Sequence, residues 1–229
     1  MPRRILKFPP KRGMRNRCRD KEELRSVNLN RYVAKQLGNP TGLAGKGIAL
    51  VMNRQNRPLY EETIRLLSPS DTGHILDIGC GNGYVLGLLA RRCGGVLTGI
   101  DTSQSMIRSA ARRNRAYVKS QRMTLARQDA GAMSFADGTF DKAYSINTVY
   151  FWDDLQGTMA EIRRVLKPGG LFINTCYSNE TLSRLSHTQF GYRRYTAEQL
   201  TSAGTDAGFT VKVASILHGA AHCFVYRAD

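Results

Sequence analysis

A chain of 229 residues, 41% apolar and 23% charged, is long enough for one substantial core and ordinary enough in composition to be globular. No apolar run approaches the length of a membrane span, and residues 48–52 are too short for a signal-peptide core. Five cysteines (Cys18, Cys80, Cys93, Cys176, Cys223), odd in number and without a C-x-x-C pair, argue against a disulfide framework or a zinc site and for free thiols in a reducing cytoplasm.

The net charge is +16, and residues 1–31 hold eleven Lys or Arg against three acids, a local +8 that is half of it. Residues 1–20, punctuated by Pro9 and Pro10, are expected as a basic flexible arm. Asp20, Glu22 and Glu23 so near the start argue against a transit peptide. Residues 21–68 are expected as an N-terminal helical lid, with one helix over 21–37 and another from Pro58 to about residue 67.

From residue 69 to 229 the pattern alternates. Short apolar strands are predicted over 74–78, 96–100, 123–128, 140–146 and 171–176. Helices fall between them, over 84–92, from Ser103 to about 118, and from Asp153 or Asp154 to about 166, where Pro168-Gly169-Gly170 breaks the chain. A last helix runs from Thr196 to about 207, followed by two strands, 209–217 and 221–226, joined around Gly219.

This alternation predicts an α/β, Rossmann-like, seven-stranded, mostly parallel sheet with helices on both faces. The turn at Gly219 is too short for a parallel crossover, so the C-terminal strand must run antiparallel. A second basic cluster (Arg108, Arg112, Arg113, Arg115, Lys119, Arg122, Arg127) contains no acid. Such fields attract anions such as nucleic acid, acidic lipid or a phosphorylated or carboxylated substrate, although a solvated helix face accounts for them equally well.

In a doubly wound sheet, ligands sit beyond the carboxyl ends of the strands. There the chain reads Asp77-Ile78-Gly79-Cys80-Gly81-Asn82-Gly83, with Asp101 ending the next strand, where a carboxylate can accept ribose hydroxyls. The nicotinamide fingerprint is G-x-G-x-x-G around a pyrophosphate. Here the spacing is G-x-G-x-G and an acid precedes it. A carboxylate facing the ligand repels pyrophosphate but suits a cationic amino acid, which favours S-adenosyl-L-methionine.

The segments Ile75 to Gly83, Gly99-Ile100-Asp101-Thr102-Ser103, Gln128-Asp129-Ala130, Phe140-Asp141 and Glu161 to Gly170 occur in one order. They resemble the successive motifs of class I S-adenosylmethionine-dependent methyltransferases. The branch most resembled is the small-molecule group that includes the ubiquinone/menaquinone biosynthesis methyltransferases. The resemblance implies S-adenosyl-L-methionine as cofactor, with Asp77 and the backbone of Gly79 and Gly81 at its methionine end. It implies Asp101 at the ribose, Thr102 or Met106 bordering the adenine, and Asp129 on the adenine amino group with Ala130 beside it. Asn147 would lie next to the transferred methyl, and residues 52–57 in a lid. Read as residues alone, Met106 also fits a helix core face, Asp129 a turn and Asn147 a strand end.

Methyl transfer is an in-line displacement that needs alignment and exclusion of water, and a base only if the nucleophile must lose a proton. No ligand spacing suggests a metal. The fourth strand exits into Ser145-Ile146-Asn147-Thr148-Val149-Tyr150-Phe151-Trp152, which lacks the Asn/Asp-Pro-Pro-Tyr/Phe element common in amino methyltransferases of bases and glutamine. Tyr150, Phe151 and Trp152 can wall an aromatic or unsaturated acceptor, with core packing expected for at least one. His187 is the candidate base because its ordinary pKa lies near neutrality; an exposed loop histidine is the competing reading. His74, His218 and His222 are expected to be structural. The leading function is methyl transfer to a small-molecule acceptor, anionic or aromatic. The alternatives are an RNA or protein methyltransferase guided by the basic arm, and a non-catalytic nucleotide-binding module.

Overall fold

The computed structural model describes residues 52–229. The basic arm over 1–20 and the helix expected over 21–37 lie outside the described residues. Residues 52–55 are helical, and α1 (Arg57–Leu67) follows with Pro58 in its first turn, where a missing N–H is tolerated. Leu59, Tyr60, Thr63, Ile64 and Leu67 form its buried stripe.

The chain then alternates: β1 (His74–Ile78), α2 (Tyr84–Ala90), β2 (Val96–Asp101), α3 (Gln104–Arg113), α4 (Arg115–Lys119), β3 (Met123–Arg127), β4 (Phe140–Ile146), α5 (Leu155–Val165) and β5 (Leu166–Tyr177). It ends with α6 (Asn179–Ser183), α7 (Ala197–Asp206), β6 (Phe209–Ile216) and β7 (Ala221–Ala228). The seven strands lie in the order β3-β2-β1-β4-β5-β7-β6. The first five pair in parallel, and β7 runs antiparallel to both β5 and β6. The expected sheet is therefore the observed one, including its antiparallel end.

Strand alternation sends side chains to two cores. Ile75 packs with Ile64, Leu86, Leu89, Leu97 and Ile107 under α1, α2 and α3. Leu76 and Ile78 pack with Met159, Ile162, Val165 and Leu200 under α5 and α7. Each such side chain contributes about 1.5–3 kcal/mol on burial. At α7 the Thr196 hydroxyl accepts from the Gln199 N–H and the Gln199 side chain accepts from the Thr196 N–H, a reciprocal cap that fixes the start predicted at Thr196.

Two elements differ from their sequence patterns. The helix expected from Ser103 to about 118 breaks at Asn114 into α3 and α4. The buried Asn114 Nδ2 donates to the carbonyls of Gly83 (2.9 Å) and Ala110 (3.1 Å), so its side chain serves the glycine turn at the expense of helix regularity. Strand β5 begins at Leu166, before Pro168-Gly169-Gly170 rather than after it. Phe140 pairs Leu166 and Lys142 pairs Leu171, so a bulge absorbs the Pro-Gly-Gly residues inside the strand.

Cys80, Cys93, Cys176 and Cys223 are free and buried. Among the described residues no His, Cys, Asp and Glu cluster could hold a metal, and no helix is long and apolar enough to cross a membrane.

Candidate active site

The chain runs β1 to β3 outward and then returns to place β4 beside β1, which makes a switch point at the centre of the sheet. A cavity opens there, beyond the carboxyl ends of β1, β2 and β4. Asp77, Gly79, Gly81, Asp101, Thr102, Met106, Asp129, Ala130 and Asn147 all line it. The nine residues singled out for the cofactor are thus brought together from four separate segments of the chain.

The glycine turn is bound to β2. The N–H groups of Gly79 and Cys80 donate to the Ile100 carbonyl at 2.8 and 2.9 Å. Asp101 Oδ2 accepts from Gly81 N at 2.9 Å, and Oδ1 from Ser103 N at 2.8 Å. Each carboxylate oxygen keeps a lone pair for a further donor such as a diol hydroxyl. Burial pushes the Asp101 carboxyl above its ordinary pKa, and the two backbone donors partly oppose the rise.

Asp77 is 3% exposed, on the same sheet face as Tyr144, its register partner on β4. The Tyr144 hydroxyl donates to Asp77 Oδ2 at 2.6 Å. Burial pushes the Asp77 pKa up to about 7, against the Tyr144 hydrogen bond that lowers it and with the Asp101 charge that raises it. Burial also lifts the cavity-lining Tyr60 to about 12. Among the described residues no basic side chain offsets the Asp77 charge, so the site is suited to a cation.

Two further observations fit the cationic amino-acid cofactor. Asn53 Nδ2, in the cavity wall, is buried with no hydrogen-bond partner. A Cβ built on Gly81 would meet nothing within 4 Å, which leaves open space against the turn. Asp129 Oδ1 accepts from Gly131 N at 2.8 Å, so it holds its own turn while still facing the cavity. Met106 borders the cavity half-buried, and Ala130 belongs to the core beneath. Asn147 takes a left-handed φ of 57°, uncommon for a residue with a side chain, at the exit of β4.

Of the three aromatics after β4, Phe151 and Trp152 line the cavity and Tyr150 does not. Tyr150 is 3% exposed. Its hydroxyl donates to Asn147 Oδ1 (3.1 Å) and accepts from Tyr177 N–H (2.6 Å). Tyr150→Phe would strand that buried N–H and free the Asn147 amide, at about 1–3 kcal/mol. The expected result is a melting temperature lower by roughly 2–10 °C with cofactor affinity preserved, read by thermal denaturation and calorimetry.

The structure does not bring His187 into the cavity. It lies in a short helical turn, Ser186–Gln189, and packs edge-on to Tyr192 at 6.2 Å. Tyr192 in turn contacts Phe151 at 4.8 Å. Partial burial lowers the His187 pKa. His74 is structural, with Nε2 2.8 Å from Thr98 Oγ1 and its ring against Phe140. Sequence reasoning singled out neither Tyr144 nor Tyr60 as cavity residues, whereas Asn53 and Asn56 belong to the 52–57 segment expected as a lid. The only signal for the two tyrosines was position, on β4 beside Asp77 and on the segment expected to form a lid.

Residues 76–174 match the family model for a methyltransferase domain. The chain is 30% identical over 138 residues to 24-methylenesterol C-methyltransferase 2 of Oryza sativa subsp. japonica, an alignment covering 60% of this chain and 38% of that protein. It spans about two fifths of the length of the curated relatives it matches. Among solved structures, a Haloferax volcanii methyltransferase complex with the Trm112 activator superposes with a TM-score of 0.72 at 22% identity, covering 81% of this chain and 95% of that one. Phosphoethanolamine N-methyltransferase 2 of Haemonchus contortus, solved with S-adenosyl-L-methionine, superposes at 0.61 with 27% identity, covering 69% of this chain and 38% of that one. The match over residues 76–174, together with the fold shared with these structures, gives the chain a methyltransferase-like domain.

Proposed function

We propose that the protein transfers the methyl group of S-adenosyl-L-methionine to a small, aromatic or otherwise unsaturated acceptor by in-line displacement. The observation that carries this reading is the pair of carboxylates, buried Asp77 and half-buried Asp101, at the ends of adjacent strands on one cavity, with a glycine turn between them. Asp77 would hold the ammonium end, Asp101 the ribose, and Asp129 with Ala130 the adenine. Thr102 and Met106 would close its far side.

When bound, the cofactor supplies a methyl already activated on a sulfonium. The chain's own task is then to align the acceptor and exclude water. Phe151 and Trp152, beside Asn147, give the apolar wall for that. The acceptor atom stays open, because the relatives named above include a carbon and a nitrogen methyltransferase. His187 would act as base only after a rearrangement of Tyr192, so a direct displacement without a protein base is the simpler course.

Calorimetry tests the reading. S-adenosylmethionine should bind and a nicotinamide dinucleotide should not; no S-adenosylmethionine binding, or unaltered binding by Asp101→Ala, would overturn it. The pH dependence carries a sign. A bound ammonium favours the ionised Asp77, so below about pH 7 binding must expel a proton from it. Affinity should therefore fall up to about tenfold per pH unit on the acid side of neutrality and level off above it. A flat profile from about pH 5 to pH 8 would remove Asp77 from the cationic end.

A further inference from the structure

The basic cluster on α3 and α4 is not a mixed, ion-paired surface. Arg108 and Arg112, four residues apart, share one face of α3, and Arg115 and Lys119, four apart, share one face of α4 beyond the break at Asn114. All four are exposed. Across residues 84–128 the only acid is Asp101, whose carboxylate is held under Gly81 and Ser103. Every ion pair among the described residues lies elsewhere, on α1, around α5 and the β4–β5 edge, or between Arg193 and Asp153. Like charges at such spacing weaken a helix when nothing compensates them.

Two neighbouring arginines join the basic cluster to the active site. Arg113 Nε donates to the Asn82 carbonyl at 3.1 Å, with its guanidinium 5.6 Å from the Tyr84 ring centre; Asn82 and Tyr84 both line the cavity. On the adjoining strand Arg127 Nε donates to the carbonyl of Thr102, another cavity residue, at 2.9 Å. We propose that the exposed face of α3 and α4 binds the phosphodiester backbone of a nucleic acid strand and holds it beside the cofactor cavity. Three of the four stripe residues are arginines, whose planar fork pairs with phosphate through two parallel hydrogen bonds. A membrane surface fits less well. Among the described residues the exposed large apolar ones are Val96, Phe151, Leu185, Val213 and Leu217, none of them on α3 or α4, so these helices carry nothing to insert. The inference does not depend on which acceptor the enzyme methylates.

The test uses the full chain and a labelled single-stranded RNA of about 20 nucleotides, titrated by fluorescence anisotropy from about 50 to 200 mM salt. The expected result is binding that weakens steeply with salt. The combined variant Arg108→Gln, Arg112→Gln, Arg115→Gln, Lys119→Gln should bind at least about tenfold more weakly, with a salt slope reduced by about 2–3. The variant should bind S-adenosylmethionine as the parent does, which guards against misfolding; the double variant Arg112→Gln, Arg115→Gln should lose about half as much slope. No RNA binding by the parent chain, or unchanged binding by the combined variant, would overturn the proposal. Tighter binding to phosphatidylserine vesicles than to RNA would overturn it too, in favour of a membrane surface.

Discussion

Asp77→Asn is expected to weaken S-adenosylmethionine binding about a hundredfold or more, yet to raise the melting temperature of the free protein above neutral pH. The two effects share one cause. Asp77 is buried beside Tyr144 with no basic partner, and its pKa rises to about 7. An unfolded aspartate titrates near about 3.9. Because the folded value is the higher one, the free protein loses stability as pH rises between about 4 and 7, and the deficit is complete above about 7. At about 1.36 kcal/mol per pH unit the ceiling is about 4 kcal/mol. Asparagine keeps the shape and still accepts from Tyr144 while removing the charge. A gain of about 5–10 °C near pH 8 should follow, shrinking to nothing near pH 4. The bound ammonium would instead face a neutral amide in a buried site. Removing one partner of a buried charge pair typically costs about 3–5 kcal/mol. A variant that binds S-adenosylmethionine within about threefold of the parent, or melts lower near pH 8, would sink this account.

Much of this site was legible in the sequence because it depends on chain order. Asp77, Gly79, Gly81 and Asp101 sit at strand ends, and an alternating pattern of strands and helices brings such ends to one edge. Tyr144 was not legible in the same way. Its role needs the register Asp77↔Tyr144 between strands 67 residues apart, which no local pattern encodes. The break at Asn114 is similar: the residue leaves the helix to serve Gly83, a contact 31 residues away. The bulge in β5 hid behind Pro168-Gly169-Gly170, a local stop signal that pairing with β4 overrode. His187 was attractive by chemistry alone, and only the packing of Tyr192 and Phe151 separates it from the cavity. The stripe on α3 and α4 could be read as charge but not as unpaired charge, since that depends on where the acids of distant segments fold.

Gly79→Ala should destabilise the protein by about 3–4 kcal/mol, and Thr148→Ser should restore part of it. Gly79 has φ 77°, so any side chain there is strained by about 1–2 kcal/mol. A Cβ would also overlap Thr148 Cγ2 and approach Thr148 Cβ to 3.0 Å. Thr148 is not free to retreat, because its hydroxyl is hydrogen-bonded to Ser145 and to the Ile78 carbonyl. Gly81 provides the internal contrast. It too has a positive φ, 51°, but its added Cβ meets nothing within 4 Å, so Gly81→Ala should carry the strain without the clash. Chemical denaturation of the parent, the three single variants and the two double variants separates the terms. Thr148→Ser deletes Cγ2 and keeps the hydroxyl, so the double variant with Gly79→Ala should recover about 1–2 kcal/mol, whereas Thr148→Ser with Gly81→Ala should be additive. Additivity in both pairs would mean that Gly79 is needed only for its φ. Coupling in the first pair alone would mean that the end of β4 sets the shape of the turn. In that case the segment carrying Asn147, beside the transferred methyl, and the turn holding the methionine end are one packed unit, and a change in either should be felt in cofactor affinity as well as in stability.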